Sequence, residues 1–192
     1  MTYEPNELMQ AITSLSLNLG AFKANVIDVK DVVFDRVFRD ICASNACGMY
    51  GKCWTCPPDV GEIDDLIANA KGFSHILVYQ TVSELEDSYD FEGMIVAGEK
   101  HNRLAQELRK AFPQNECSKV LHLGTGGCRL CPVCAKRSNE PCRFPTLAMR
   151  SLEAYGIHVS KLAESAGMKY INGQDTVTYF GAVLFSIDGE AI

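Results

Sequence analysis

The sequence predicts an α/β protein, with a central sheet of four or five strands flanked by helices and two cysteine-rich metal-binding loops. Three observations lead there. Segments with helical spacing of apolar residues alternate along the chain with short runs rich in β-branched and aromatic residues. Eight of the nine cysteines fall into two tight groups, four between residues 42 and 56 and four between residues 128 and 142. The chain has 192 residues, 47% hydrophobic and 22% charged, enough to bury a core and unlike disordered or collagenous chains. An α+β arrangement of the same elements is the alternative.

The elements follow in order. Residues 7–19 predict a helix, with Leu8, Ile12, Leu15 and Leu19 at helical spacing. Residues 22–29 alternate apolar and polar and predict a strand. After the first cysteine group, a helix is expected to start at Asp59, where Glu62 offers a capping box. Val60, Ile63, Ile67 and Ala70 give it one apolar face. Residues 75–82 predict a buried strand, and the acidic stretch 83–92 a loop. A long helix is expected over 91–112, burying Ala97, Leu104, Leu108, Ala111 and Phe112. Glu99 and Arg103 lie four residues apart on its wet side. Residues 119–123 predict a short strand running into Gly124-Thr125-Gly126-Gly127 and the second cysteine group. Residues 158–166 predict a helix with Val159, Leu162, Ala163 and Ala166 inward, and residues 177–187 the last strand.

The order is thus helix, strand, cysteine segment, helix, strand, and then the same again. One reading is an internal pseudo-repeat with halves 1–85 and 90–192. The other is an ordinary alternating chain with two cysteine-bearing loops. Either way the expectation is one domain over residues 1–192, because no proline- or glycine-rich linker interrupts the middle.

Charge and hydropathy exclude several function classes. A net charge of −6 argues against a nucleic-acid binder. The longest apolar run, near residues 180–187, is far shorter than the roughly 18 residues a membrane span needs. Residues 1–7 are acidic and have no apolar run, unlike a secretory signal. These readings predict a cytoplasmic protein. In a reducing compartment, clustered cysteines bind metal more often than they form disulfides.

The second cysteine segment carries the stronger signal. Cys128, Cys131 and Cys134 have the x2, x2 spacing that opens a ferredoxin-type run. A tight loop with a cysteine every third residue can reach three irons of one cubane cluster, and Cys142 supplies a fourth thiolate. A ferredoxin would place that fourth cysteine four residues on and follow it with proline; here it is eight residues on and Arg143 follows. Gly124, Gly126 and Gly127 either let backbone N–H groups approach sulfur or form a simple strand-to-loop turn. Arg129, Lys136, Arg137, Arg143 and Arg150 against Glu140 give residues 128–150 a charge of +4, leaving −10 for the rest of a chain of −6. Such cations lower the cost of burying an anionic cluster; a solvated basic loop, or a docking patch for an acidic partner, has the same charge pattern.

The first segment holds Cys42, Cys47, Cys53 and Cys56, followed by Pro57 and Pro58. This is again a complete ligand set. Cys53-x2-Cys56 is also a normal zinc spacing, with Cys42-x4-Cys47 as a usable second pair.

At these residues the chain resembles a family of uncharacterised prokaryotic metal-binding proteins. The resemblance rests on Tyr50-Gly-Lys-Cys-Trp-Thr-Cys-Pro-Pro58, on Cys128, Cys131 and Cys134, and on Pro141-Cys-Arg-Phe-Pro145 followed by Ser151-Leu-Glu-Ala-Tyr-Gly-Ile157. It runs from the first strand to the last. It implies metal or iron–sulfur binding, often in anaerobes, with no settled activity. It also implies that Cys53 is a variable position, so the first site has either four thiolates or the three of Cys42, Cys47 and Cys56.

The leading expectation is an iron–sulfur protein with one [4Fe–4S] cluster per segment, transferring electrons to a redox protein partner. A zinc-binding structural or interaction protein is the alternative. An enzyme using a cluster with an open iron is the third reading, since an open iron can act as a Lewis acid. The remaining candidates are weak. His75, His101, His122 and His158 have no ligand spacing; only His122 lies near a cysteine group, where a strand residue is expected. Cys117 fits a small buried apolar residue. Tyr50 and Trp54 suit shielding of a metal from water. The Gly124–Gly127 run is not a dinucleotide fingerprint, and no phosphate loop, zinc helix or nucleophile elbow is present.

Overall fold

The computed structural model describes residues 4–187; the first three residues of the N-terminal stretch read above lie outside them. Helix α1 (Pro5–Asn18) begins with proline in its first turn, where the missing N–H costs nothing. Leu8 and Ile12, one turn apart, are its buried stripe. Strand β1 (Lys23–Asp28) follows. Two short elements come before the next strand: α2 (Val37–Ala43) and α3 (Ile63–Lys71). Then come β2 (His75–Glu84), α4 (Phe91–Ala111), β3 (Cys117–Gly124), β4 (Arg150–Ser151), α5 (Val159–Ser165) and β5 (Thr176–Ile187).

The five strands form one sheet in the order β1-β2-β5-β3-β4. All neighbours are antiparallel except β3 and β4. The long central pair β2 and β5 runs in register from His75 opposite Phe185 to Glu84 opposite Thr176. Because side chains alternate across a sheet, each central strand feeds two cores. On one face α1 and α4 cover Leu77, Tyr79, Val183 and Phe185. On the other, α5 and the end of α3 cover Ile76, Val78, Ala182 and Leu184. Two-sided burial explains why β2 and β5 have unbroken apolar runs in the sequence.

Each half of the chain therefore contributes a helix, a strand, a cysteine segment, a helix and a strand. The first helices, α1 and α4, share one face, and the second helices, α3 and α5, share the other. The registers differ. β1 pairs with the start of β2, from His75 to Gln80, whereas β3 pairs with the end of β5, from Ala182 to Ile187. β3 leaves the sheet at Gly124, so the second cysteine segment comes to lie beside the first half of β5. Gly98 of α4 marks the meeting point: a Cβ there would lie 3.2 Å from Arg129 Nη1 and 3.6 Å from the Tyr179 ring of β5.

Five local expectations change. Ala111, expected inside, is exposed at the end of α4, and Ser83 and Glu84, expected in the acidic loop, end β2. The helix expected from Asp59 starts at Ile63 with Glu62 as its N-cap, and no side chain caps it. Gly61 holds φ at +112°, outside helical space, and the Asp59 carboxylate is taken by Lys136. α2 arises inside the first cysteine segment, where seven residues are too few for a periodic pattern to stand out. β4 is a two-residue strand held by its pairing to Leu123 and Gly124. Among the described residues, no helix is long and apolar enough to cross a membrane.

Two histidines are buried in the α4 side of the core. Thr81 Oγ1 lies 2.9 Å from His101 Nδ1, and the His101 ring stacks on Tyr79 at 5.5 Å. Burial pushes His101 down to about 4. Burial and then the Arg109 charge push His122 down to about 4 as well. In the unfolded chain both protonate near the ordinary histidine value of about 6.5. Between these values the unfolded state binds more protons, so stability rises with pH across that window and falls on acidification. Urea unfolding at a series of pH values should show a loss on the order of 2–3 kcal/mol per histidine by pH 4. His122→Gln should remove about half of that dependence relative to the parent chain. An unchanged slope would mean that His122 titrates normally in the fold.

Candidate metal centre

The first cysteine segment is a series of linked turns. α2 carries Cys42 in its last turn. Asn45 turns the chain out of the helix with φ of 57°, and its Oδ1 accepts the Tyr50 N–H at 3.1 Å. Gly51 N–H donates to the Pro57 carbonyl at 2.9 Å, Cys56 N–H to the Cys53 carbonyl at 3.0 Å, and Val60 N–H to the Cys56 carbonyl at 3.1 Å. These turns bury Cys53 and leave Cys56 half-buried, while Cys47 is exposed.

Three contacts then tie this segment to the second. The Thr55 hydroxyl lies 3.3 Å from Cys53 Sγ and accepts the Cys128 N–H at 3.3 Å. A hydroxyl can donate to sulfur while accepting from an amide, so one side chain spans both segments. The Trp54 indole donates to the Glu140 carbonyl at 2.9 Å. Lys136 pairs with Asp59 and sits 4.3 Å over the Trp54 ring. Gly127 completes the junction. A Cβ there would meet Met49 at 3.3 Å and Cys56 Sγ at 3.5 Å, so the backbone passes close beside the first segment.

The result is one pocket walled by cysteines from both segments. Cys53 lines it together with Cys128, Cys131, Cys134 and Cys142, and Trp54, Leu130 and Phe144 add apolar walls. Arg143 also lines it, with its guanidinium donating to the Val133 carbonyl at 3.0 Å. Burial pushes the Cys128 thiol up to about 11, with smaller effects from Cys53, Cys142 and Cys131. Cys53 and Cys56 push each other's thiols in opposite directions. The hydrogen bond from Cys56 holds Cys53 down at about 5 against its burial, and the same contact pushes Cys56 upward. Cys42 is raised, mainly by burial and next by Cys47 and the buried Glu153.

Cys128, Cys131, Cys134 and Cys142 line one pocket, and Cys53 of the other segment lines it with them. Cys42, Cys47 and Cys56 do not line that pocket; Cys56 lies beside Gly127, and Cys47 is exposed. His122 is a β3 residue packed edge-on against Phe112 at 5.4 Å, away from the pocket. Cys117 packs partly buried against the α1 and α4 core. Thr55 and the Asp59–Lys136 pair were not singled out by sequence reasoning. The placement of a hydroxyl between Cys53 and Cys56 was the available signal for the first; a pairing across 77 residues has none.

Five sulfurs line one space, and among the described residues no three of His, Cys, Asp or Glu are grouped so as to hold a single metal ion.

A model of the family described as Predicted metal-binding protein (DUF2284) matches residues 25–185. No curated protein and no solved structure matches the chain.

Proposed function

We propose, for a chain that belongs to the Predicted metal-binding protein (DUF2284) family, that the cysteine face holds [4Fe–4S] clusters and passes electrons to a redox protein partner in the cytoplasm. The pocket lined by Cys53, Cys128, Cys131, Cys134 and Cys142 is the observation that carries this reading. The second-segment four are the assigned ligands of one cluster. A thiolate-held cluster supplies reversible one-electron transfer at a potential tuned by charge, hydrogen bonds and exposure. The protein's own groups act on each of these. Arg143 brings positive charge to the pocket wall. The Thr55 hydroxyl accepts the Cys128 N–H and places its own hydrogen at the Cys53 sulfur. Trp54, Leu130 and Phe144 keep water from the walls.

The position of Cys53 favours a second reading for the other site. With Cys53 turned to the shared pocket, the first segment retains Cys42, Cys47 and Cys56. Three thiolates would leave one iron open to a substrate or water, the arrangement an enzyme uses.

Anaerobic purification with a visible spectrum and iron, zinc and sulfide analysis tests both readings. A brown protein with about eight irons and matching sulfide supports a cluster in each segment. About four irons restrict the reading to one centre. A colourless protein with one or two zincs, and no iron after anaerobic reconstitution, replaces it with a zinc-stabilised interaction protein.

A further inference from the structure

Helix α4 carries one stripe at i, i+4, i+7 spacing: Phe91, Ile95, Gly98, Asn102 and Gln106. Its C-terminal half is covered by the second cysteine segment. Arg129 lies against Gly98, and Gln106 Nε2 donates to the Leu147 carbonyl at 3.1 Å. Its N-terminal half is bare. Phe91 is 68% and Ile95 52% exposed, with Tyr89 at 79% and Val96 at 62% beside them. Four large apolar side chains within eight residues form a patch of the kind that marks an interaction site, unlike singly scattered ones.

The charge around this patch is one-sided. From Ser83 to Glu99 the chain has Glu84, Glu86, Asp87, Asp90, Glu92 and Glu99 and no lysine or arginine. The adjoining segment 128–150 is its complement. With Lys136 taken by Asp59, Arg129, Arg137, Arg143 and Arg150 against Glu140 leave it +3, and it exposes Val133, Phe144 and Leu147. Two neighbouring patches on one flank are thus both apolar and opposite in charge. A two-fold axis between them sets each against its complement on a second copy, so the same contact is made twice and the assembly closes.

We propose that this flank is a homodimer interface, in which the acidic α4 patch of one protomer seats on the basic cysteine-segment patch of its partner. The proposal does not depend on which metal the cysteines hold. It brings the two metal-binding segments of the dimer to the same interface.

Sedimentation velocity of the full chain over about a hundredfold range of concentration, at about 0.05 M and about 0.5 M salt, tests it. A reversible monomer–dimer equilibrium is expected, weakened at least about tenfold at the higher salt. Phe91→Asp with Ile95→Asp should leave a monomer. Arg137→Glu should weaken the dimer, and adding Glu92→Lys should restore it. Circular dichroism and metal content confirm that each variant is folded and loaded. A parent chain that stays monomeric at every concentration overturns the proposal. So does a dimer that both sets of substitutions leave unchanged.

Discussion

Cys134→Ser is expected to remove one cluster, cutting iron and sulfide to about half those of the parent chain and halving the absorption of the thiolate-to-iron band. Cys134 lies in the pocket wall with Cys131 and Cys142 and belongs to no other group of thiols. Serine keeps its size and removes the soft ligand. Cys128→Ser should behave alike. Cys53→Ser separates the two readings of the first site. Cys53 lines the shared pocket and is held down by its contact with Cys56. If the first cluster has only Cys42, Cys47 and Cys56 as ligands, Cys53→Ser keeps the full iron content and changes mainly the spectrum or potential, through altered hydrogen bonding at the sulfurs. If Cys53 is a ligand, iron falls by about half, as with Cys134→Ser. Full iron content in Cys134→Ser would overturn the assignment of the second segment.

Gly181→Ala should destabilise the fold by about 3 kcal/mol, the upper end of the usual cost of overpacking. Gly181 lies opposite Tyr79 in the central strand pair, and a Cβ there would fall 2.3 Å from both the Cζ and the hydroxyl oxygen of Tyr79. Tyr79 has no room to retreat. It is fully buried between the sheet and α4 and stacks on His101. The cause is testable by a double-mutant cycle followed by urea unfolding. Tyr79→Ala is itself costly, about 3–5 kcal/mol by analogy with other large-to-small changes. In that background the added methyl group of Gly181→Ala should cost almost nothing. Equal costs in both backgrounds would mean that the clash with Tyr79 is not the reason Gly181 is needed.

Much of the fold is legible in the residues because it rests on short-range periodicity. Leu8 and Ile12 locate α1, Leu104 and Leu108 locate α4, and the apolar runs at residues 75–82 and 177–187 locate the central strands. Each signal repeats over enough residues to outweigh local noise. α2 and β4 were missed because seven and two residues cannot hold such a pattern. The displaced start of α3 has a different origin. Asp59 and Glu62 have the spacing of a capping box, but a long-range partner, Lys136, claimed the carboxylate and Gly61 broke the helical path. For the centre, the cysteines themselves were plain from composition, and the x2, x2 spacing of Cys128, Cys131 and Cys134 marked one ligand set.

Residue identity and spacing along the chain thus determined the helices and strands of this protein, its two groups of thiols and the basic character of the second group. Those properties depend on neighbours a few positions apart, and a linear reading captures them. Only the tertiary structure decided that the two cysteine segments meet. Thr55 joins Cys53 to the Cys128 N–H, Trp54 reaches Glu140, and Asp59 pairs with Lys136. Each of these contacts spans more than seventy residues. They exist because the β1-β2-β5-β3-β4 order ends β3 early and returns the first segment to the same flank. No local pattern encodes a distance that only the packed sheet sets.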